Sequence, residues 1–266
     1  MTTSLHWYRS GQGSDMIFIH GWGMNSAVWQ HLLPFLTAHY RVHCVDLPGY
    51  GYSQPSDALS LKDMVQCLLE NSDQPAIWVG WSLGGIVATQ VALLAPERVQ
   101  GLVTVASSPR FLEKQGWRGT KLQVLEAFLQ QLSEDFIGTV ERFIEFQAMG
   151  TLTARQDIEW LKKVVVAHPP PQTESLKAGF YILGHTDLRP RLHELSMPWL
   201  QIYGLLDAIV PVRVAQAVNI LVPQSQQKIF DNSAHAPFIS HPEDFSQVLL
   251  SFCGQCLPDF HEKVSQ

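Results

Sequence analysis

One serine of this chain stands in a sequence whose residue types and spacing are typical of a catalytic nucleophile. Ser82 is the middle residue of Gly-Trp-Ser-Leu-Gly at positions 80–84, directly after the apolar stretch Ala76–Val79. Apolar side chains then recur at helical spacing from Ile86 to Leu94. A strand that turns sharply into a helix exposes the serine hydroxyl, and the flanking glycines avoid collisions that a Cβ would cause. We therefore predict that Ser82 is a nucleophile.

Two other interpretations of this turn involve no nucleophile. Serine is a favoured N-cap residue, so Ser82 could simply cap the following helix. A phosphate-binding turn would need glycine in place of Ser82, or the lysine of a P-loop, which this turn lacks. The turn thus argues against a phosphate site but leaves the capping role open, so its function depends on an acid, a base and an oxyanion hole elsewhere in the chain.

An acid and a base follow the serine in a chain order that hydrolases use. Asp207 comes shortly after the strand predicted for Trp199–Tyr203, and His235 follows the last predicted strand. The order Ser, Asp, His is the one found in α/β-hydrolases, which makes Asp207 the predicted acid and His235 the predicted base. Asp46 is a rival acid at a strand end, but it precedes the nucleophile and leads into a Pro-Gly loop, so we assign it a local hydrogen-bonding role.

The predicted oxyanion hole consists of two backbone N–H groups. One belongs to Leu83, the residue after the nucleophile. The other is assigned to Trp22, in the sequence His-Gly-Trp-Gly at positions 20–23, because this loop directly follows an early strand and its glycines permit a close approach of the backbone. We interpret His20 as a structural residue of the loop.

The elements around these residues alternate between strand and helix, which predicts one α/β domain with a mostly parallel sheet. The chain of 266 residues is long enough for such a domain and an insertion. The predicted strands are Leu5–Tyr8, Met16–Ile19, Arg41–Val45, Ala76–Val79, Leu102–Val105, Trp199–Tyr203 and Gln227–Phe230. The helices predicted around them are Ser26–Thr37, Leu59–Leu69, Ile86–Leu94, Val212–Val222 and Pro242–Cys253.

The middle of the chain differs from the rest in pattern and in charge. Helical periodicity alone is found at Leu122–Leu132, Asp135–Met149 and Thr153–Val166. Residues 110–190 hold ten basic and ten acidic side chains, so the remainder carries the whole net charge of −6. We predict an α/β core of residues 1–110 and 189–256, an inserted helical cap of residues 111–188, and a frayed tail of residues 257–266.

Composition limits the class of protein. The hydrophobic fraction of 46% is ordinary for a globular protein, no apolar run approaches the roughly 18 residues of a membrane span, and the N-terminus lacks signal-peptide character. Four cysteines in such a chain favour reduced thiols, so we expect a cytoplasmic protein, with Cys253 and Cys256 as structural residues. The negative net charge argues against nucleic acid as a partner, and we expect no membrane association.

Several sequence segments together resemble one family. The chain resembles the α/β-hydrolases up to about Cys256 and, within them, the pimeloyl-acyl-carrier-protein methyl ester esterases of biotin synthesis. The segments that carry this resemblance are residues 20–23, 46–49, 80–85, 106–109, 141–143, 147–151 and 234–242.

The resemblance implies a function, a partner and a set of site residues. It implies hydrolysis of the methyl ester on a pimeloyl chain held by acyl carrier protein, without a metal or organic cofactor. The acyl site would be lined by Trp22, Ser82, Leu83, Phe143, Ile144, Glu145, Phe146, Gln147 and His235. The acidic carrier protein would contact the basic residues Arg142 and Arg155, and Lys162 and Lys163 would compensate for Gly138 and Glu159, where the family tends to have further positive charge.

Other functions remain open at this point. The same three residues would serve a promiscuous short-chain carboxylesterase or a hydrolase of carbon–carbon bonds, and the cap would decide between these enzymes. A hydrolase fold that has lost catalysis and serves as a ligand receptor belongs to a different class. The intact Ser-Asp-His set argues against the receptor. We expect the protein to be a monomer.

Overall fold

A computed structural model describes residues 3–55 and 60–257 of the protein, without the side chains of residues 129, 132, 133, 136 and 137. Its seven strands form one sheet in the order β1-β3-β2-β4-β5-β6-β7. Only β1 runs antiparallel to its neighbour, so the predicted α/β class with a mostly parallel sheet is confirmed. The strands are β1 Trp7–Ser10, β2 Ser14–Ile19, β3 Tyr40–Val45, β4 Ala76–Trp81, β5 Val99–Val105, β6 Trp199–Gly204 and β7 Gln226–Phe230.

The middle of the sheet carries the turn that contains Ser82, the predicted nucleophile. Strand β4 lies between β2 and β5 and is buried along its whole length, as expected for a parallel strand covered on both faces. Because the strands from β2 to β7 are parallel, the loops after their carboxyl ends meet at one edge of the sheet. The loops that begin at residues 20, 82, 205 and 231 all start from that edge.

Ten α-helices accompany the sheet in the described part of the chain. Two of them, α1 and α9, are single turns of four residues. Their bounds are α1 Leu33–Leu36, α2 Leu61–Glu70, α3 Leu83–Leu94, α4 Leu122–Glu134, α5 Phe136–Gln147, α6 Ala154–Val166, α7 Thr173–His185, α8 Arg213–Leu221, α9 Pro237–Ser240 and α10 Pro242–Cys256.

Several predicted elements have different bounds in the structure. The helix expected over Ser26–Thr37 is a 3-10 helix, Ser26–Leu32, followed by α1. The reason is Pro34, which has no N–H to continue the hydrogen-bond ladder. The first strand begins at Trp7 instead of Leu5 and extends to Ser10, since it pairs with β3 over Val42–Val45. Helix α2 begins at Leu61, after a capping box formed by Ser60 and Asp63.

Four helices, α4 to α7, stand between β5 and β6, where the sequence predicted three. The missed helix is α7, which follows the prolines at 169–171. Its Gly179 faces Tyr50, Leu83 and Trp22, so α7 packs closely against the core. The apolar residues of α7 are not confined to one face of the helix. Its sequence therefore shows only a weak helical periodicity. The two ends of the segment meet where the Leu188 N–H donates to the Pro109 carbonyl, 2.9 Å away.

The last element in the described part of the chain is α10. Helix α10 continues to Cys256, three residues beyond its predicted end. Of the predicted frayed tail, only Leu257 belongs to the described residues, and residues 258–266 lie outside them. Within the described ranges, no helix is both long enough and apolar enough to cross a bilayer.

Candidate active site

Ser82 occupies a strained turn between β4 and α3. Its φ of 54° and ψ of −113° lie in a region that residues with a side chain rarely adopt. A Cβ on Gly80 would stand 2.1 Å from the Gly84 carbonyl oxygen, and one on Gly84 would stand 2.3 Å from the Ile19 oxygen. The prediction that a Cβ at Gly80 or Gly84 would collide with the neighbouring backbone is therefore confirmed. No side-chain capping bond is formed by Ser82, which removes the capping interpretation.

His235 and Asp207 form a buried pair in loops at the same edge of the sheet. The Nδ1 atom of His235 lies 2.8 Å from Oδ2 of Asp207, and the two side chains are 1% and 0% exposed. The other carboxylate oxygen of Asp207 accepts from the backbone N–H groups of Ile209 and Val210, at 2.8 and 2.9 Å. A carboxylate fixed in this way orients the imidazole with its proton on Nδ1 and leaves Nε2 as the basic atom.

Nε2 of His235 is buried and has no hydrogen-bond partner among the described residues. The Ser82 hydroxyl therefore does not donate to it in this conformation. Such a bond is often long in a free enzyme and shortens when substrate binds. The backbone of His235 forms two further hydrogen bonds. Its N–H donates to the Gln147 carbonyl at 3.0 Å, and its carbonyl accepts from Trp81 Nε1 at 2.7 Å.

The two predicted oxyanion donors flank the serine turn. A Cβ on Gly21 would lie 3.4 Å from Cβ of Ser82, so the loop at residues 20–23 passes directly beside Ser82. Neither the Trp22 nor the Leu83 N–H donates to a backbone carbonyl within the described ranges. Two unpartnered backbone donors beside a serine are the arrangement that an oxyanion hole requires.

His20 and Asp46 hold this loop in place. The Leu47 N–H donates to Nε2 of His20 at 3.0 Å, so Nδ1 carries the proton and donates to the Gly21 carbonyl at 2.7 Å. Complete burial lowers the pKa of His20, which keeps the ring neutral. Asp46 accepts from the backbone N–H groups of Ser26 and Tyr52, at 2.6 and 3.0 Å. Both side chains thus have the local structural contacts that the sequence predicted.

A cavity of about 480 Å³ opens above Ser82, between the sheet edge and the cap. Aromatic rings from three cap helices form its wall: Phe128 stacks on Phe180 at 4.9 Å, and Phe143 meets the Trp22 ring edge-on at 5.2 Å. The volume and apolar lining suit an acyl chain. The described lining residues are Ser82, Phe111, Leu112, Gly119, Thr120, Lys121, Val124, Leu125, Phe128, Gln131, Thr139, Arg142, Phe143, Phe146, Phe180, Leu183, Ala208, Ile209 and Pro211.

The residues expected at the acyl site on α5 fall on different faces of that helix. Phe143 and Phe146 line the cavity. Ile144 is buried against the core and Gln147 contacts His235 through its carbonyl, but neither belongs to the lining. Glu145 is exposed and accepts a hydrogen bond from Lys162 at 2.8 Å, away from the cavity.

Sequence reasoning did not assign Phe180 of α7 or Ile209 to the site, although both line the cavity. Phe180 belongs to the helix that was missed. Ile209 lies in the loop after β6, two residues from Asp207. This closeness to a predicted catalytic residue could have indicated that Ile209 belongs to the site.

The four basic residues assigned to the carrier protein differ in their pairing. Arg142 is 3.3 Å from Asp135 and also donates to Thr139, while Lys162 is paired with Glu145. Arg155 and Lys163 are exposed on α6 and form no ion pair with a residue in the described ranges. Two of the four cations are therefore already neutralised by acids of the cap.

The sheet and the strained turn at Ser82 define the class of α/β-hydrolases. A family model described as the alpha/beta hydrolase fold matches residues 16–242. Solved structures of similar fold include an esterase from Exiguobacterium antarcticum, with a TM-score of 0.86 at 21% identity over 94% of this chain and 95% of that one. An enol-lactonase from Burkholderia xenovorans superposes with a TM-score of 0.84 at 16% identity, over 94% of this chain and 96% of that one. At such identities, the likeness concerns the fold alone.

Curated relatives define the family more narrowly. The chain is 57% identical to a pimeloyl-acyl-carrier-protein methyl ester esterase of Photobacterium profundum, over 95% of this chain and 99% of that protein. It is 53% identical to a protein of the same name from Vibrio vulnificus, over 96% of this chain and 100% of that protein. The chain belongs to the family of the pimeloyl-acyl-carrier-protein methyl ester esterases.

Proposed function

We propose that this protein hydrolyses the methyl ester of pimeloyl-acyl carrier protein to pimeloyl-acyl carrier protein and methanol, as a step of biotin synthesis. The observation that carries the proposal is the strained Ser82 in the wall of an apolar cavity, in a chain that is 57% identical to an esterase of this name. His235, hydrogen-bonded to Asp207, supports it, because its ring lies 5.7 Å from that of Trp81, the residue before Ser82. We further propose that it acts in the cytoplasm as a monomer.

The mechanism follows from the roles of these residues. His235 Nε2 accepts the proton of the Ser82 hydroxyl as the oxygen attacks the ester carbonyl. The N–H groups of Trp22 and Leu83 stabilise the resulting oxyanion, and Asp207 stabilises the imidazolium. Collapse of this intermediate breaks the bond to the methoxy group, which leaves as methanol with the proton from His235. Water, deprotonated by the same histidine, then attacks the acyl-enzyme and releases the pimeloyl carboxylate and Ser82.

The cavity offers a site for the seven-carbon chain. Phe143 and Phe146 from α5 and Phe180 from α7 would contact its methylene groups, while the ester end reaches Ser82. Burial of methylene groups contributes about 0.8 kcal/mol each, so a largely aromatic wall favours a long acyl ester over an acetyl ester. This preference separates the proposed function from that of a short-chain carboxylesterase.

The test measures methanol released from pimeloyl-acyl carrier protein methyl ester by the wild type and by Ser82→Ala. The wild type should turn the ester over, and Ser82→Ala should lose at least about 10⁴-fold in kcat, because the triad acts as a unit. Ser108→Ala, which removes a nearby hydroxyl that bonds to the Arg110 carbonyl, serves as the matched control and should remain active. A wild type that cleaves only acetyl esters, or fails to restore growth of a biotin auxotroph lacking its esterase, would contradict the proposal.

A further inference from the structure

Two cations and no acid are found among the described residues that line the cavity. Lys121 and Arg142 are the charged residues among the described lining residues, and no described acid contributes to the wall. Both side chains are exposed, whereas the lining residues Leu125, Thr139 and Phe180 are buried. The two cations therefore stand where the cavity opens to solvent, and Ser82 lies at the buried end.

The two cations are not equivalent. The guanidinium of Arg142 lies 3.3 Å from the Asp135 carboxylate and donates to Thr139 Oγ1 at 3.0 Å, so its charge and one of its donors are engaged within α5 and its N-cap. Lys121 precedes the first residue of α4 and forms no ion pair with any residue in the described ranges. Its ammonium group is therefore available to an anion that arrives with the ligand.

We propose that Lys121 binds the phosphate of the phosphopantetheine arm on which a carrier protein holds its acyl chain. This inference rests on the proposed function and identifies the part of the substrate that the cavity mouth recognises. A carrier-bound substrate is a methyl ester at one end and a thioester to this arm at the other, and the arm ends in a phosphodiester. The apolar chain fits the buried cavity, so the anionic group remains at the opening, beside Lys121.

This contact also gives the substrate a direction. The pantetheine part of the arm lies between the phosphate and the acyl chain, so a phosphate held at the mouth lets the arm enter the cavity with the acyl chain and its methyl ester ahead of it, towards Ser82. Lys121 would thus act as a positioning residue for the carrier-bound ester. Its charge is screened by salt, because the side chain is exposed.

The experiment compares two thioesters of methyl pimelate that differ by one phosphate, S-acyl phosphopantetheine and S-acyl pantetheine. The measured quantity is the ratio of their kcat/KM values for methanol release. In Lys121→Gln this ratio should fall about fivefold, the effect of losing one charge-assisted contact to phosphate at an exposed site. Lys121→Arg, which keeps the cation, should restore most of the ratio, and about 0.5 M salt should lower the wild-type ratio towards that of Lys121→Gln.

The matched control is Lys62→Gln, which makes the same charge change on α2, away from the cavity. It should keep the wild-type ratio. An unchanged ratio in Lys121→Gln, or an equal fall in Lys62→Gln, would overturn the assignment of the phosphate to Lys121 while leaving the proposed function intact. A wild type that releases no methanol from either thioester or from the carrier-bound ester would overturn both.

Discussion

Three polar groups around Ser82 have no hydrogen-bond partner among the described residues. They are His235 Nε2 and the N–H groups of Trp22 and Leu83, although each belongs to a residue held firmly by other bonds. The Trp22 ring, for example, donates to the Leu176 carbonyl at 2.8 Å. Donors and acceptors that are fixed but unsatisfied can stabilise developing charge without reorganisation, which is the basis of electrostatic catalysis.

Substitution of the two candidate acids separates catalysis from stability. Asp207→Asn should lower kcat by about 10⁴-fold, because an amide in place of the carboxylate favours the wrong tautomer of His235. Asp46→Asn should retain most of kcat but lose about 1–2 kcal/mol of unfolding free energy, since the N–H group of Ser26 or of Tyr52 loses its acceptor. Steady-state kinetics on a soluble ester and urea unfolding of both variants measure the two effects. If Asp46→Asn lost its activity and Asp207→Asn kept it, Asp46 would be the catalytic acid.

At the scale of elements, the base of the cap is closed by one ionic cluster. The Asp187 carboxylate accepts from Arg189 at 2.6 and 2.7 Å and lies 3.3 Å from Arg110, on the other side of the inserted segment. Trp117 adds to the cluster, because its ring lies 4.8 Å from the Arg189 guanidinium and its Nε1 donates to the Arg110 carbonyl. The cluster joins the two points at which the chain passes between core and cap. It thereby holds the helices above Ser82 in position.

Removal of the central carboxylate should destabilise the protein in a pH-dependent way. Hydrogen bonds from Arg189 lower the pKa of Asp187 below its usual value, with the charges of both arginines adding to this and burial opposing it. The unfolded chain therefore binds the proton more readily, so the stabilisation is complete above the unfolded pKa of about 3.9 and is lost as pH falls through the lower folded value. Asp187→Asn should cost about 1–2 kcal/mol at pH 7.

Urea unfolding of the wild type and Asp187→Asn at several pH values measures this difference. It should stay constant between about pH 7 and pH 5 and shrink below about pH 4. Asp73→Asn, a change of the same kind at an exposed position, is the control and should have little effect at any pH. A difference that grows as the solution is acidified would contradict the sign derived from the lowered pKa.

At the scale of the whole molecule, the distribution of charge decides how a carrier protein could approach. The net charge is −6, but it belongs entirely to residues outside 110–190. Within the cap, Arg155 and Lys163 on α6 are the exposed cations of the proposed docking set that lack an ion pair to a described residue. An acidic carrier protein is therefore expected to be repelled by the core and attracted by Arg155 and Lys163 on the neutral cap.

Charge reversal on the cap should weaken carrier processing selectively. Arg155→Glu should lower kcat/KM for the carrier-bound ester about tenfold at low salt, because it replaces attraction by repulsion at an exposed site. Lys162→Glu should have a smaller effect, since Lys162 is already paired with Glu145. Arg213→Glu on α8 is the matched control. Equal losses on the carrier-bound ester and on a small soluble ester, or salt-independent carrier processing, would show that Arg155 does not recruit the carrier.

Some features of this protein follow from short stretches of its sequence. The turn around Ser82 was predictable because Gly80, Ser82 and Gly84 lie within five consecutive residues. The backbone strain of the turn arises within this short segment. The parallel sheet was predictable from the alternation of strands and helices, since that alternation requires crossovers. Asp207 and His235 could be nominated because chain order alone assigns them to loops at one edge of the sheet.

Other features were decided only by tertiary packing. A contiguous run, 143–147, was expected at the acyl site, whereas the lining residues of α5 are Thr139, Arg142, Phe143 and Phe146. These four lie on one face of the helix, and which face turns towards the cavity depends on how α5 packs against α4 and α6. The pairing of Lys162 with Glu145, and the unpaired state of Lys121, depend in the same way on neighbours distant in the chain, which local sequence cannot specify.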